Sequence, residues 1–138
     1  MAYVRRLSLA VTATVSGGAA QTWVTGKVNG YIEAIRLVNG ATQPATTAHL
    51  TITGQQSGIS ILNVTATASG NVTYFPRARA VDTSNITLGE AAGASAPIAC
   101  YIPVADEGLS IVGTSMGTVS GNGGRQATFH FYISGQGP

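Results

Sequence analysis

Side chains able to perform acid–base or metal chemistry are few in this chain. Its 138 residues include two histidines, one cysteine and five carboxylates, which are Glu33, Asp82, Glu90, Asp106 and Glu107. Asp106 and Glu107 are adjacent and followed by Gly108, which is typical of a solvated turn between two strands. His49 opens a predicted strand, and His130 alternates with two phenylalanines. We therefore expect structural or exposed roles for both histidines.

No motif in the sequence supplies a reactive centre. Two histidines and one cysteine without ligand spacing do not build a zinc site. The glycine-rich run 121–125 lacks the Lys-Ser/Thr ending of a phosphate loop and precedes a predicted strand, not a helix. We therefore expect no catalytic residue, no metal and no cofactor.

The single cysteine, Cys100, has no partner for an intrachain disulfide. Its surroundings predict a strand, so we expect a buried side chain that acts as a small hydrophobic group. The chain should then fold in a reducing cytoplasm without covalent cross-links.

Charge is scarce along the whole sequence. Only 9% of the residues are charged and the net charge is +2, whereas soluble domains average about 25% charged residues. The arginines come closest together at Arg5-Arg6 and at Arg77 and Arg79, too few to predict direct nucleic-acid binding. No apolar run approaches the length of a membrane span. A neutral, hydroxyl-rich surface favours a protein that works within an assembly.

Alternation of apolar and hydroxyl side chains predicts an all-β fold. We expect one domain over residues 1–138, an antiparallel β-sandwich or jelly roll of about eight short strands. Asn29-Gly30 between two such strands indicates a hairpin turn. Pro76 places the predicted strand 72–80 on a sheet edge or at a bulge. Residues 82–96 show little pattern and are interpreted as a long excursion.

The two ends of the chain alternate most regularly. We expect three side chains of the last strand to be buried together with Leu7, Leu9 and Val11 of the first; they are Phe129, Phe131 and Ile133. His130 and Tyr132 should then point towards solvent or a partner.

The segment 72–79 combines aromatic, proline and arginine side chains, a composition common at protein interfaces. Tyr74, Phe75, Arg77 and Arg79 are therefore candidate contact residues. The alternative is a core aromatic with solvated arginines. Arg5 and Arg6 are further candidates, because they form the other arginine pair.

Six segments follow a Thr/Ser-rich first strand in a defined order: 26–28, 32–38, 50–54, 74–78 with Asp82-Thr83 after it, 102–111 and 128–130. In order and spacing they resemble the small head-decoration, or cement, proteins of tailed bacteriophages. The unpatterned stretch 85–96 departs from that pattern.

The resemblance implies a structural virion protein made in the host cytoplasm and bound to the outer surface of the capsid. Its partners would be the major capsid protein and further copies of itself, as a homodimer or homotrimer. Contacts with several capsid subunits at once would let individually weak patches suffice.

A carbohydrate- or receptor-binding module of a phage head or tail fibre is the alternative function. Such a module needs a concave aromatic platform, for which the candidates are Trp23, Tyr31, Tyr74, Tyr101 and Tyr132. The single tryptophan and the lack of an acidic cluster make this alternative weaker.

Overall fold

A computed structural model describes residues 2–14, 19–40, 42, 44–45, 47–64, 71–79, 99–117 and 124–136. These residues form eleven β-strands, more than the eight or so predicted: β1 (Ala2–Ala13), β2 (Gln21–Val24), β3 (Val28–Asn39), β4 (His49–Gly54), β5 (Ser60–Val64), β6 (Val72–Tyr74), β7 (Ala78–Arg79), β8 (Ala99–Cys100), β9 (Ile102–Glu107), β10 (Leu109–Thr114) and β11 (Arg125–Gln136). The excursion predicted over 82–96 lies outside the described residues.

Two antiparallel sheets make up the fold. The five-stranded sheet has the order β1-β11-β3-β6, and β9 pairs with β3 beside β6. The four-stranded sheet has the order β2-β10-β4-β5, while β7 and β8 form a separate two-stranded pair. The predicted all-β sandwich is thus confirmed. No helix in the described residues is long and apolar enough to cross a membrane.

The core is formed by the alternate side chains that each sheet turns towards the other. Phe129, Phe131 and Ile133 of β11 are almost completely buried, as predicted. Val11 is buried as well, but Leu7 and Leu9 are only half-buried. These two were expected in the core; β1 is an edge strand, so they are covered less completely than the residues of central strands.

The predicted hairpin at Asn29-Gly30 is wrong, because both residues lie inside β3. Gly30 does have a positive φ of 135°. This conformation occurs where the register of the β3–β9 pairing shifts, between Val28 and Gly30. A Cβ atom on Gly30 would overlap the backbone carbonyl of Ser134 on β11. The glycine is therefore required for close approach between strands rather than for a turn.

A second irregularity interrupts β3 at Glu33. The pairing with β11 steps from Ala34 opposite Tyr132 to Ile32 opposite Ile133, which leaves Glu33 as an extra residue. On the other side of β3, the β6 pairing ends at Ile35 and the β9 pairing begins at Ile32. Between Ile32 and Ile35, therefore, neither β6 nor β9 continues the ladder.

Candidate binding surfaces

Arg77 fills the break in the ladder beside β3. Its Nη1 donates hydrogen bonds to the carbonyl oxygens of Glu33 at 3.0 Å and Pro76 at 2.6 Å. The guanidinium also lies over the Tyr101 ring, 4.1 Å from the centroid, in cation–π geometry. A planar donor with several N–H groups suits such a gap, because it can bond to backbone carbonyls and stack on an aromatic ring.

Proline divides the segment predicted as one strand over 72–80. The chain pairs through β6, leaves the sheet at Phe75–Arg77, and pairs again as β7. Pro76 is buried, whereas the neighbouring Phe75 is 68% exposed. Within the described residues β6 pairs with β3 alone, which agrees with the predicted edge position of this segment.

The aromatic residues of this edge have different environments. Tyr74 packs against the core, and burial raises the pKa of its phenol. Phe75 and Tyr101 remain exposed, with the Tyr101 ring carrying the Arg77 guanidinium. We refer to Phe75, Arg77 and Tyr101 as the aromatic edge. Part of the predicted contact segment is therefore core, and part is available to a partner.

The two arginine groups proposed as contact residues are not brought together. Arg5 and Arg6 are exposed on β1, which lies at the opposite edge of the five-stranded sheet from β6. The side chain of Arg79 lies outside what the structure describes. Any contact role of the candidate residues is thus divided between two separate edges.

The outer face of the four-stranded sheet carries a surface that local sequence patterns do not reveal. Alternation and strand register turn ten side chains outward, among them six hydroxyl groups and no Asp, Glu, Lys or Arg; they are Thr22, Val24, His49, Thr51, Thr53, Ser60, Asn63, Ser110, Val112 and Thr114. We refer to these residues as the neutral face. His49 Nε2 lies 2.7 Å from Asn63 Oδ1, which joins two of its strands.

The outer face of the five-stranded sheet differs from the neutral face by carrying arginines. Arg6 lies on β1, and Arg36 on β3 bonds through Nη1 to Thr73 Oγ1 at 3.0 Å. Between them, His130 Nδ1 lies 2.7 Å from Ser8 Oγ. His130 does point away from its phenylalanine neighbours, as predicted. Sequence alternation locates such faces, but only strand order shows which residues share one.

Glu107 is not part of a solvated turn as predicted. It is only 5% exposed, and one carboxylate oxygen accepts hydrogen bonds from the backbone N–H groups of Gln56 and Ser57 at 2.7 and 2.8 Å. The bonds with Ser57 and Gln56 lower the pKa of this carboxyl group. Its partners lie about fifty positions earlier in the chain, so local sequence could not reveal them. Asp106, by contrast, is exposed.

Cys100 is exposed, so its predicted burial is wrong. The alternation around it does indicate a strand, but β8 pairs with β7 outside the two large sheets. A strand outside the sandwich does not require its apolar side chains to enter the core.

No group of three or more His, Cys, Asp or Glu residues in the described part of the chain could hold a metal ion. The proposed aromatic platform is also dispersed. Trp23 and Tyr74 pack against the core, whereas Tyr31 and Tyr101 are exposed beside β9.

Comparison with protein-family models, with curated proteins and with solved structures gave no match.

Proposed function

We propose that the protein decorates the outer surface of a tailed-phage head and bridges neighbouring major capsid subunits. The neutral face is the observation that carries this proposal, because none of its ten outward side chains, which come from all four strands of the sheet, is Asp, Glu, Lys or Arg. Burying an ion costs several kcal/mol, whereas a hydroxyl costs about 1–3 kcal/mol and regains much of it in a hydrogen bond. A surface of this kind suits permanent contact with a larger assembly.

A bridging protein also needs more than one contact region. The aromatic edge and the β1 arginines lie at opposite edges of the same sheet. Together with the neutral face, they offer three separate regions for contact with neighbouring capsid subunits or with further copies of the protein. Simultaneous contacts add through effective concentration, so no single region has to bind tightly. The order of sequence motifs supports the capsid as the partner.

Co-sedimentation with purified heads of the phage that encodes the protein tests the proposal. Thr51 lies on β4 in the centre of the neutral face, and Thr128 lies on β11 in the outer face of the other sheet; both are half-exposed. We expect Thr51→Lys to weaken head binding at least tenfold, since it buries an unpaired charge. Thr128→Lys should bind as the wild type does. Equal binding by all three proteins would contradict the proposed face.

Carbohydrate binding is a second candidate function, supported by the exposure of Tyr31 and Tyr101. Tyr31 pairs with Pro103 in the β3–β9 ladder and Tyr101 directly precedes β9, so an aromatic ring there could stack on a sugar. Titration with host-surface polysaccharide while tyrosine fluorescence is followed tests this function. A saturable change that disappears in Tyr31→Ala would favour it over decoration, and no change would exclude it.

A further inference from the structure

The outer edge of β1 presents unpaired backbone groups. In the described part of the chain, β1 pairs with β11 over twelve consecutive residue pairs, and no strand lies on its other side. Native proteins protect such edges with charged side chains, with proline or with a bulge. β1 has no proline and no bulge, and its charged side chains are confined to Arg5 and Arg6.

The direction of the backbone groups on β1 follows from its partner strand. Gln126 directs its N–H to the carbonyl of Thr42 and its carbonyl to the N–H of Gly40, away from β1. Thr12 is paired with Gln126, so its own groups point away from β11, because paired antiparallel residues share this orientation. Even-numbered residues of β1 therefore direct their N–H and C=O outward.

One end of this edge is already occupied. Gln21 accepts a hydrogen bond from the Thr14 N–H at 3.0 Å, and its amide group lies 3.4 Å from the Thr12 carbonyl oxygen. Apart from Ala2, the first residue of the strand, four outward-directed residues remain. They are Val4, Arg6, Ser8 and Ala10, with eight backbone groups that could pair with another strand.

We propose that two copies of this chain pair through these edges, antiparallel and centred on Leu7. In this register, Val4 faces Ala10 of the partner subunit and Arg6 faces Ser8 of the partner subunit. All eight groups of each subunit are then bonded, and no two arginines stand opposite one another. The next hydrogen-bonded register in one direction would place Arg6 opposite Arg6 of the partner subunit, where the like charges repel. The next register in the other direction would extend the pairing into the segment held by Gln21.

The pairing also has a consequence for the orientation of the two sandwiches. The two-fold axis of an antiparallel strand pair within one continuous sheet is perpendicular to that sheet, so both subunits turn the same face in the same direction. The two neutral faces would then be presented side by side. The self-association itself does not depend on the proposed capsid function.

Charge substitution at Ser8 tests the register, with the dimer dissociation constant measured by sedimentation equilibrium. Ser8→Lys places an ammonium opposite Arg6 of the partner subunit, twice per dimer, and should raise Kd about two- to thirtyfold. Ser8→Glu should lower Kd by a similar factor. Ser8→Ala is the control, since it also loses the contact with His130 but adds no charge. A 14.0 kDa monomer at all concentrations, or equal Kd values for Lys and Glu, would overturn the proposal.

Cysteine cross-linking tests the centre of the pair independently. In a Cys100→Ser background, Leu7→Cys should form a disulfide dimer on mild oxidation, because facing residues of a non-hydrogen-bonded pair have Cα atoms about 4.5 Å apart. Leu9→Cys is the matched control: it is half-buried on the same face of β1, but its partner-subunit copy would lie about 14 Å away. Cross-linking of the control instead of Leu7→Cys would refute this register.

Discussion

Replacing Arg77 by alanine removes the side chain that fills the break beside β3. The Glu33 carbonyl loses a 3.0 Å bond from a charged donor, and such bonds contribute about 1.5–3 kcal/mol. The stacking on Tyr101 at 4.1 Å adds about 0.5–1 kcal/mol at an exposed site. Because Arg77 is only half-buried, we expect the free energy of unfolding to fall by the lower part of the sum of these two contributions, about 2–3 kcal/mol.

Urea denaturation followed by circular dichroism measures this loss, and the corresponding fall in Tm is about 6–12 °C for a domain of this size. Arg77→Lys should lose roughly half as much, since lysine keeps the charge but not the planar stacking. Lys27→Ala is the control, because the interaction of Lys27 within the described residues is an exposed ion pair with Asp106 at 3.7 Å, worth about 0.5 kcal/mol or less. If Arg77→Ala were as stable as this control, Arg77 would not hold the sheet edge together.

Three further variants test other parts of the fold. Gly30→Ala should destabilise the protein by about 2–4 kcal/mol in urea denaturation, because it combines a positive φ with a backbone overlap; wild-type stability would disprove the close approach. Phe131→Ala, at a site with no exposed surface, should cost about 3–5 kcal/mol in the same assay, and a loss below about 1 kcal/mol would place it outside the core. Glu107 has a lowered pKa in the folded state, so its stabilisation is present above the unfolded pKa and disappears as the pH falls through the folded pKa. Glu107→Gln should therefore melt earlier than the wild type at neutral pH but equally in strong acid, and a pH-independent difference would contradict the carboxylate bonds.

Local patterns in the sequence predict the strands that keep one face towards the core and the other face outward along their whole length. β11 alternates between core and outer face along its length, so Phe129, Phe131 and Ile133 are identified correctly from period-2 spacing alone. The Asn29-Gly30 pair predicts a hairpin turn that the chain does not form, although Gly30 does have a positive φ. It does not reveal that this φ serves an irregular strand pairing, because the close contact with Ser134 comes from the far end of the chain.

The candidate site was only partly predictable for the same reason. Composition identifies Phe75 and Arg77 as unusual, but the function of Arg77 depends on a gap created by two other strands. Similarly, nothing near Glu107 in the sequence indicates that a distant turn donates hydrogen bonds to its carboxylate. The neutral face requires knowledge of strand order, which period-2 spacing does not contain.

Electron cryomicroscopy of phage heads saturated with the purified protein would show whether the neutral face contacts the capsid. We predict density on the outside of the capsid in which the outer face of the β2-β10-β4-β5 sheet rests against major capsid subunits. Thr51, near the middle of that face, should be excluded from solvent. Heads without added density, or density in which this sheet faces solvent, would rule out capsid binding through the neutral face.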